Sequence, residues 1–424
     1  MTFEPLSIRL ILLCCFIAWL PGCGSDSDPS TDDMADGADT VDVADTTDPD
    51  GDADSSAPDS TDGTLDTDMA SACSLHRAMG AADAGVTTEV AALGTFPNTV
   101  TVAGGYGWVV NSGDNTVARY SLSDPNDIDN SFIDVGNDQN PYDLAVYGDR
   151  IYITNNVGNS ITVADTMGNV IDTVALPELV SPQDILATED YLIVANTEFT
   201  FPAPTTRFGS VLVLSRTDSP ALLNRLETGW SNPQYLALAG DTLIAVSSGA
   251  TDYDVDTGLV TPTSPGGVDF FSLATIEQAM GADLSAEIPV AGLVGNPALP
   301  AVIRDTIYLG SGTAPVLFAM GLDGTLHRGS SDPITLFDAQ GGNALIAPYA
   351  GPLGSLVVLD FNNDQLLVVD PGCNEVIGDP VPLGTNGELL EGPLSLGLDG
   401  NTAHVVMSVS AAVTTVDLGQ QLAP

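Results

Sequence analysis

The chain has 424 residues and a formal net charge of −48, from 57 acidic residues against 9 basic ones, every base an arginine. The length exceeds one average domain. The charge excludes nucleic acid and anionic lipid headgroups as ligands, because phosphate recognition needs clustered cations; it fits cationic or basic partners, or simple solubility outside the cell.

Residues Ile8 to Leu20 form an apolar run, IRLILLCCFIAWL, interrupted only by Arg9. The run is shorter than the ~20 residues a bilayer span takes and has the length of a signal-peptide core. It ends in Leu20-Pro21-Gly22-Cys23, which resembles the bacterial lipobox: an aliphatic residue, two small residues and a cysteine. The resemblance implies a lipoprotein signal peptide over residues 1–22 and acylation of Cys23, the palmitate-type chains making it a membrane anchor. Two acyl chains hold a protein stably where one does not. The competing reading is an ordinary secretory signal followed by an unmodified cysteine. Gly24 follows the cysteine, where aspartate would favour retention in the inner membrane. The expected address is therefore the outer membrane or cell surface of a Gram-negative envelope.

Residues 23–72 hold the acylated cysteine and an aspartate-rich linker with no base and no aromatic residue. Such a segment cannot bury enough apolar surface to offset its ordering entropy, which predicts a disordered tether. Asp48, Asp50, Asp52 and Asp54 alternate within it, yet an EF-hand would place glycine where Ala53 stands.

Of the five cysteines, Cys14 and Cys15 leave with the signal and Cys23 is the acylation site. Cys73 and Cys373 remain as a candidate disulfide in an oxidising compartment. The bridge would close about 300 residues and contribute on the order of 5 kcal/mol in the chain-entropy account.

From residue 73 onward the sequence repeats. The clearest unit runs Asn140-Pro141-Tyr142-Asp143-Leu144-Ala145-Val146, then Arg150-Ile151-Tyr152-Ile153-Thr154-Asn155-Asn156, then Ser160 to Asp165 and Val170 to Val174. Short β-rich runs are separated by Gly, Asn and Asp turns, and four of them predict one antiparallel blade. The unit resembles the YVTN-type β-propeller repeat of surface-layer and related secreted bacterial proteins, with Tyr152-Ile153-Thr154-Asn155 as the tetrapeptide. Trp108-Val109-Val110-Asn111 and Leu192-Ile193-Val194-Ala195-Asn196 follow the pattern, and later copies keep only its apolar character. Copies open at residues 98, 141, 182, 233, 297, 343 and 393, mostly at an Asn-Pro or similar turn. The resemblance implies an all-β domain over residues 73–424: a single β-propeller of seven four-stranded blades. The seventh copy stops after three strands, so an N-terminal strand at Glu89 to Thr95 is expected to complete it and close the ring. Six or eight blades, or an open solenoid with capping repeats, are the alternatives.

Two connections between second and third strands are long: Thr197 to Gly209 in the third copy and Gly249 to Gly267 in the fourth. Insertions on a rigid scaffold are where binding usually resides. Phe199, Phe201, Arg207 and Phe208 in the first, with Tyr253 in the second, suit protein or glycan contact, against the plainer reading of packing on the blade. Asp252, Asp254 and Asp256, followed by Gly258, present the alternating carboxylates of a calcium loop, against a solvated acidic loop.

No HExxH, GxSxG or CxxCH motif is present, and His76, His327 and His404 lie far apart. No catalytic residue is assigned. The leading reading is a lipid-anchored binding or scaffolding module of the envelope with a protein or glycan partner. The alternatives are a metal-dependent, lactonase-like hydrolase with carboxylate ligands at the channel mouth, and a passive surface-coat component.

Overall fold

Each repeat turns its apolar runs into an antiparallel sheet whose strand order follows the chain. The computed structural model describes residues 85–418, apart from 92, 125, 199–207, 255–258, 287, 290–292, 338–344 and 385–390. Blade 1 runs outward through Pro97–Ala103, Tyr106–Asn111, Thr116–Ser121 and Ile128–Asp134. Blade 2 follows with Pro141–Tyr147, Arg150–Asn155, Ser160–Asp165 and Val170–Ala175. The innermost strands of blades 3 to 7 are Pro182–Ala187, Pro233–Ala239, Pro297–Ile303, Ile346–Ala350 and Pro393–Asp399. The seven blades expected from the repeat are present and form a β-propeller.

The packing explains the sequence pattern. Blades stack face against face, so their middle strands lose water on both sides and read as continuous apolar runs instead of alternating ones. The second strand of blade 2, Arg150–Asn155, is buried at five of its six positions, whereas the outermost strand Val170–Ala175 alternates between exposed and half-buried residues. Seven apolar clusters result, one between each pair of neighbouring blades; Trp108, Val110, Leu144 and Ile153 meet between blades 1 and 2, for example.

The asparagine that ends the tetrapeptide is a fastener. Asn155 is fully buried and donates through Nδ2 to Ser160 Oγ at 2.9 Å and Thr162 Oγ1 at 2.8 Å. Asn196 occupies the same place in blade 3 and donates to Glu178 O at 3.0 Å and Ser210 Oγ at 3.1 Å. The Asn-Pro turns also have a backbone reason. Asn140, Asn232 and Asn296, each preceding a proline, have φ of 49°, 64° and 51°, a left-handed conformation that asparagine tolerates better than other side chains.

The ring closes with the N-terminal strand, but not at the residues expected. Gly85–Ala91 pairs antiparallel with Ala412–Asp417, from Gly85 opposite Asp417 to Ala91 opposite Ala412; Glu89 to Thr95 is therefore corrected by about four residues. Two residues after Ala91, Leu93 is fully buried in the cluster between blades 7 and 1. In the same seam Tyr120 Oη and His404 Nδ1 lie 2.9 Å apart. Burial pushes the imidazole pKa down, so the ring is neutral near pH 7, and its tautomer sets which of the two groups donates. The sixth blade starts at Ile346, later than the expected residue 343, which lies outside the described residues.

The fourth copy is long because it carries two additions. Thr251–Asp254 and Leu259–Pro262 pair as a hairpin between the blade's second and third strands. A short helix, Leu273–Gln278, is capped by Ser272, which accepts from Thr275 N at 3.4 Å. The helix end docks on the third blade through Asn224, which donates to Ile276 O at 3.3 Å and Ala279 O at 3.1 Å.

Candidate functional site

The innermost strands surround the central channel, and a shared irregularity shapes its head. In six blades the pairing of the first two strands shifts just after the opening proline, between Pro97 and Thr99, Pro141 and Asp143, Pro182 and Ile185, Pro233 and Tyr235, Pro297 and Pro300, and Pro393 and Ser395. A bulge of this kind leaves a residue unpaired and re-aims its side chain. Here the residues skipped in the pairing are Asn98, Tyr142, Gln183 and Asp184, Gln234, Ala298 and Leu299, and Leu394; with Thr99, Asp143, Tyr235 and Ser395, where pairing resumes, all but Gln183 line a cavity of about 230 Å³. Blade 6 pairs without a shift and contributes Ala347 and Tyr349.

The lining is two-sided. Blades 1 to 4 supply Asn98, Thr99, Thr101, Tyr142, Asp143, Asp184, Gln234 and Tyr235. Blades 5 to 7 supply mainly Ala298, Leu299, Leu345, Ala347, Leu394 and Leu396. Tyr349 and Ser395 are the polar exceptions there, and they hydrogen-bond each other. No arginine or histidine is among the described lining residues.

Asp143 and Asp184 sit on adjacent blades and hydrogen-bond each other. Asp143 Oδ2 also accepts from Ile185 N of blade 3 at 3.2 Å, and Asp184 Oδ2 accepts from Leu236 N of blade 4 at 2.6 Å. Thr99 of blade 1 bonds to Asp143 from the other side. Each carboxylate thus ties its blade to the next. Desolvation deep in the channel pushes the Asp184 carboxyl well above the ordinary carboxylate range, and the charge of Asp143 adds to the rise. Asp143 is raised by desolvation as well, with hydrogen bonds opposing. Two carboxyls that hydrogen-bond each other share a proton, since the bond needs one and both cannot ionise cheaply.

The long connections leave the propeller at the same end. The second strand of blade 3 ends at Asn196, which pairs with Pro182 at the head of the innermost strand. That of blade 4 ends at Ser247, opposite Pro233. The root of the third-copy connection is tied by Glu198, whose Oε1 accepts from Arg225 Nη2 at 2.6 Å and Ser210 Oγ at 2.8 Å. Phe199, Phe201 and Arg207 lie outside the described residues, and Phe208 opens the third strand, Phe208–Ser215. In the fourth copy Asp252, Tyr253 and Asp254 fall on the first arm of the hairpin instead of an open loop, and Asp256 lies outside the described residues. Among the described residues no group of three His, Cys, Asp or Glu side chains is placed to hold a metal ion. Cys23 and Cys73 lie outside the described residues; Cys373, in the last turn of blade 6, is disulfide-bonded.

Sequence reasoning passed over the carboxylate pair. The available signal was an aspartate two residues after the turn proline in two successive copies, Pro141-Tyr142-Asp143 and Pro182-Gln183-Asp184.

No protein-family model and no curated protein matches the sequence. Solved structures do match the fold. Hydrazine synthase of Kuenenia stuttgartiensis is 13% identical with a TM-score of 0.57, covering 76% of this chain and 95% of that one. A catalytically inactive virginiamycin B lyase from Staphylococcus aureus, solved with quinupristin, is 14% identical with a TM-score of 0.57, covering 79% and 98%. The WD40 β-propeller domain of Doa1 is 9% identical with a TM-score of 0.57, covering 78% and 96%. At these identities the likeness shows the propeller and nothing finer.

Proposed function

We propose that the chain is a lipid-anchored envelope protein whose propeller is a binding module, with ligand contact at the end of the channel where the innermost strands begin. The observation that carries the reading is the coincidence of features at that end. The two-sided cavity opens among the first residues of the innermost strands, and both long connections emerge beside it. Concave, partly apolar sites with a few converging polar groups are where ligands bind. The lipobox at Leu20 to Cys23 and the acidic linker supply the anchor and the reach.

The fourth-copy hairpin offers a clean test. Ala250 O accepts from Thr263 N at 2.8 Å and from Ser264 N at 3.2 Å, so Ala250 and Thr263 can be joined by a short Gly-Ser turn without moving the blade. The full chain, captured from detergent-solubilised envelope, should retain a partner that the hairpin-less chain loses. A partner retained equally by both forms would move the contact elsewhere, and the absence of any partner would count against the module.

The second reading, a metal-dependent lactonase-like hydrolase, is favoured by Asp143 and Asp184, because two carboxyls with displaced pKa values are what acid–base chemistry uses. A carboxylate-bound metal would need more ligands than these two. Hydrolysis of a lactone and ester panel, abolished by Asp184→Asn, would favour it.

A further inference from the structure

The channel head joins an uncompensated negative charge to an apolar wall. Asp143 and Asp184 line it, and among the described lining residues none is basic and the remaining titratable groups are Tyr142, Tyr235 and Tyr349. A carboxylate in such a place is stabilised by a counter-charge that can enter with a ligand. Gln234 adds a second, independent feature. It is 5% exposed and lines the same cavity. Its Oε1 accepts from Ser248 Oγ, and its Nε2 donates to no described residue.

The geometry points to a small organic cation as the ligand of this cavity: an ammonium group seated on Asp143 and Asp184, with an apolar body against Leu299, Ala347 and Leu396. The inference deepens the binding reading above and rests on it. An inorganic cation fits less well. Calcium takes about 6–8 oxygen ligands, whereas here one oxygen of each carboxylate already accepts a backbone N–H and the opposite half of the lining is mainly hydrocarbon, its polar groups Tyr349 and Ser395 bonded to each other. An apolar cavity of about 150 Å³ accepts benzene, so 230 Å³ has room for one ring and a short polar arm. Gln234 Nε2 is available to an acceptor on that arm.

The test is calorimetric titration of the full chain in detergent with three probes: benzylammonium, benzyl alcohol and calcium chloride. Benzylammonium should bind one per chain and at least ten-fold more tightly than the alcohol. The shared proton should be displaced as the ammonium enters, which appears as a buffer-dependent heat. Asp184→Asn should weaken the amine at least ten-fold and leave the alcohol unchanged. Should Asp184→Asn not fold, the amine-against-alcohol ratio and the proton release in the unsubstituted chain still decide. Equal affinity for the alcohol, displacement of the amine by calcium, or no binding of the amine would each overturn the inference. Failure here, with an envelope partner still lost on hairpin removal, would leave the binding module standing and remove only its ligand class.

Discussion

Asp269 carries an electrostatic cost that one substitution can remove. It lies on the third strand of blade 4, Gly267–Ser272, and is fully buried. Its Oδ2 accepts from Gly229 N at 3.0 Å, and its Oδ1 has no partner. Desolvation therefore raises its pKa from 3.8 to about 6. Because the folded-state pKa lies above the unfolded one, the folded protein holds the extra proton. The stability so gained is complete below pH 3.8 and is lost as pH rises through about 6. At ~1.4 kcal/mol per unit the full loss is about 3 kcal/mol, of which about 1.4 kcal/mol falls between pH 5 and pH 7.5. Asp269→Asn removes this dependence. It also places an amide where Oδ1 was, at a cost of ~1–3 kcal/mol that does not vary with pH. The informative quantity is therefore the change with pH in the stability difference between variant and parent. Urea denaturation followed by tryptophan fluorescence at pH 5 and pH 7.5 measures it, and avoids the isoelectric region near 4.1. The variant should gain about 1.4 kcal/mol on the parent between the two pH values. A difference that does not change with pH would refute the raised carboxyl.

Two further outcomes follow from the fold. Asn155→Ala removes two buried hydrogen bonds. Ser160 keeps Gln139 Oε1 at 2.8 Å and Thr162 keeps Thr173 Oγ1 at 3.2 Å, so the loss should be about 1–2 kcal/mol, read as a melting temperature lowered by a few degrees. For the disulfide of Cys373, pairing with Cys73 is a proposal. Cys73→Ser should then lower the melting temperature as far as reductant does, and intact mass after alkylation should show two labels only when the parent is first reduced. A Cys73→Ser chain that melts like the oxidised parent would assign Cys373 another partner.

The repeat itself was legible. Asn-Pro turns, apolar second strands and spacing near that of known blades predict seven blades, because each signal is local: a left-handed turn residue, a strand covered on both faces, a buried asparagine. Closure was legible only in kind. The seventh copy visibly lacks a strand, but the alternating stretch after Gly85 could pair in several registers. Only the edge at Ala412–Asp417 selects Gly85–Ala91.

The candidate site was not legible, and the reason is geometric. Asp143 and Asp184 are ordinary turn-proximal aspartates in sequence, each within its own copy. A register shift near the head of each of these two innermost strands places Asp143 and Asp184 at the channel, and the ring sets adjacent blades close enough for the two to hydrogen-bond. Local propensity determines strands and turns and, through their repetition, the propeller. Which side chains share the channel, and with what charge, depends on the curvature that closes the ring, and only the tertiary structure decides that.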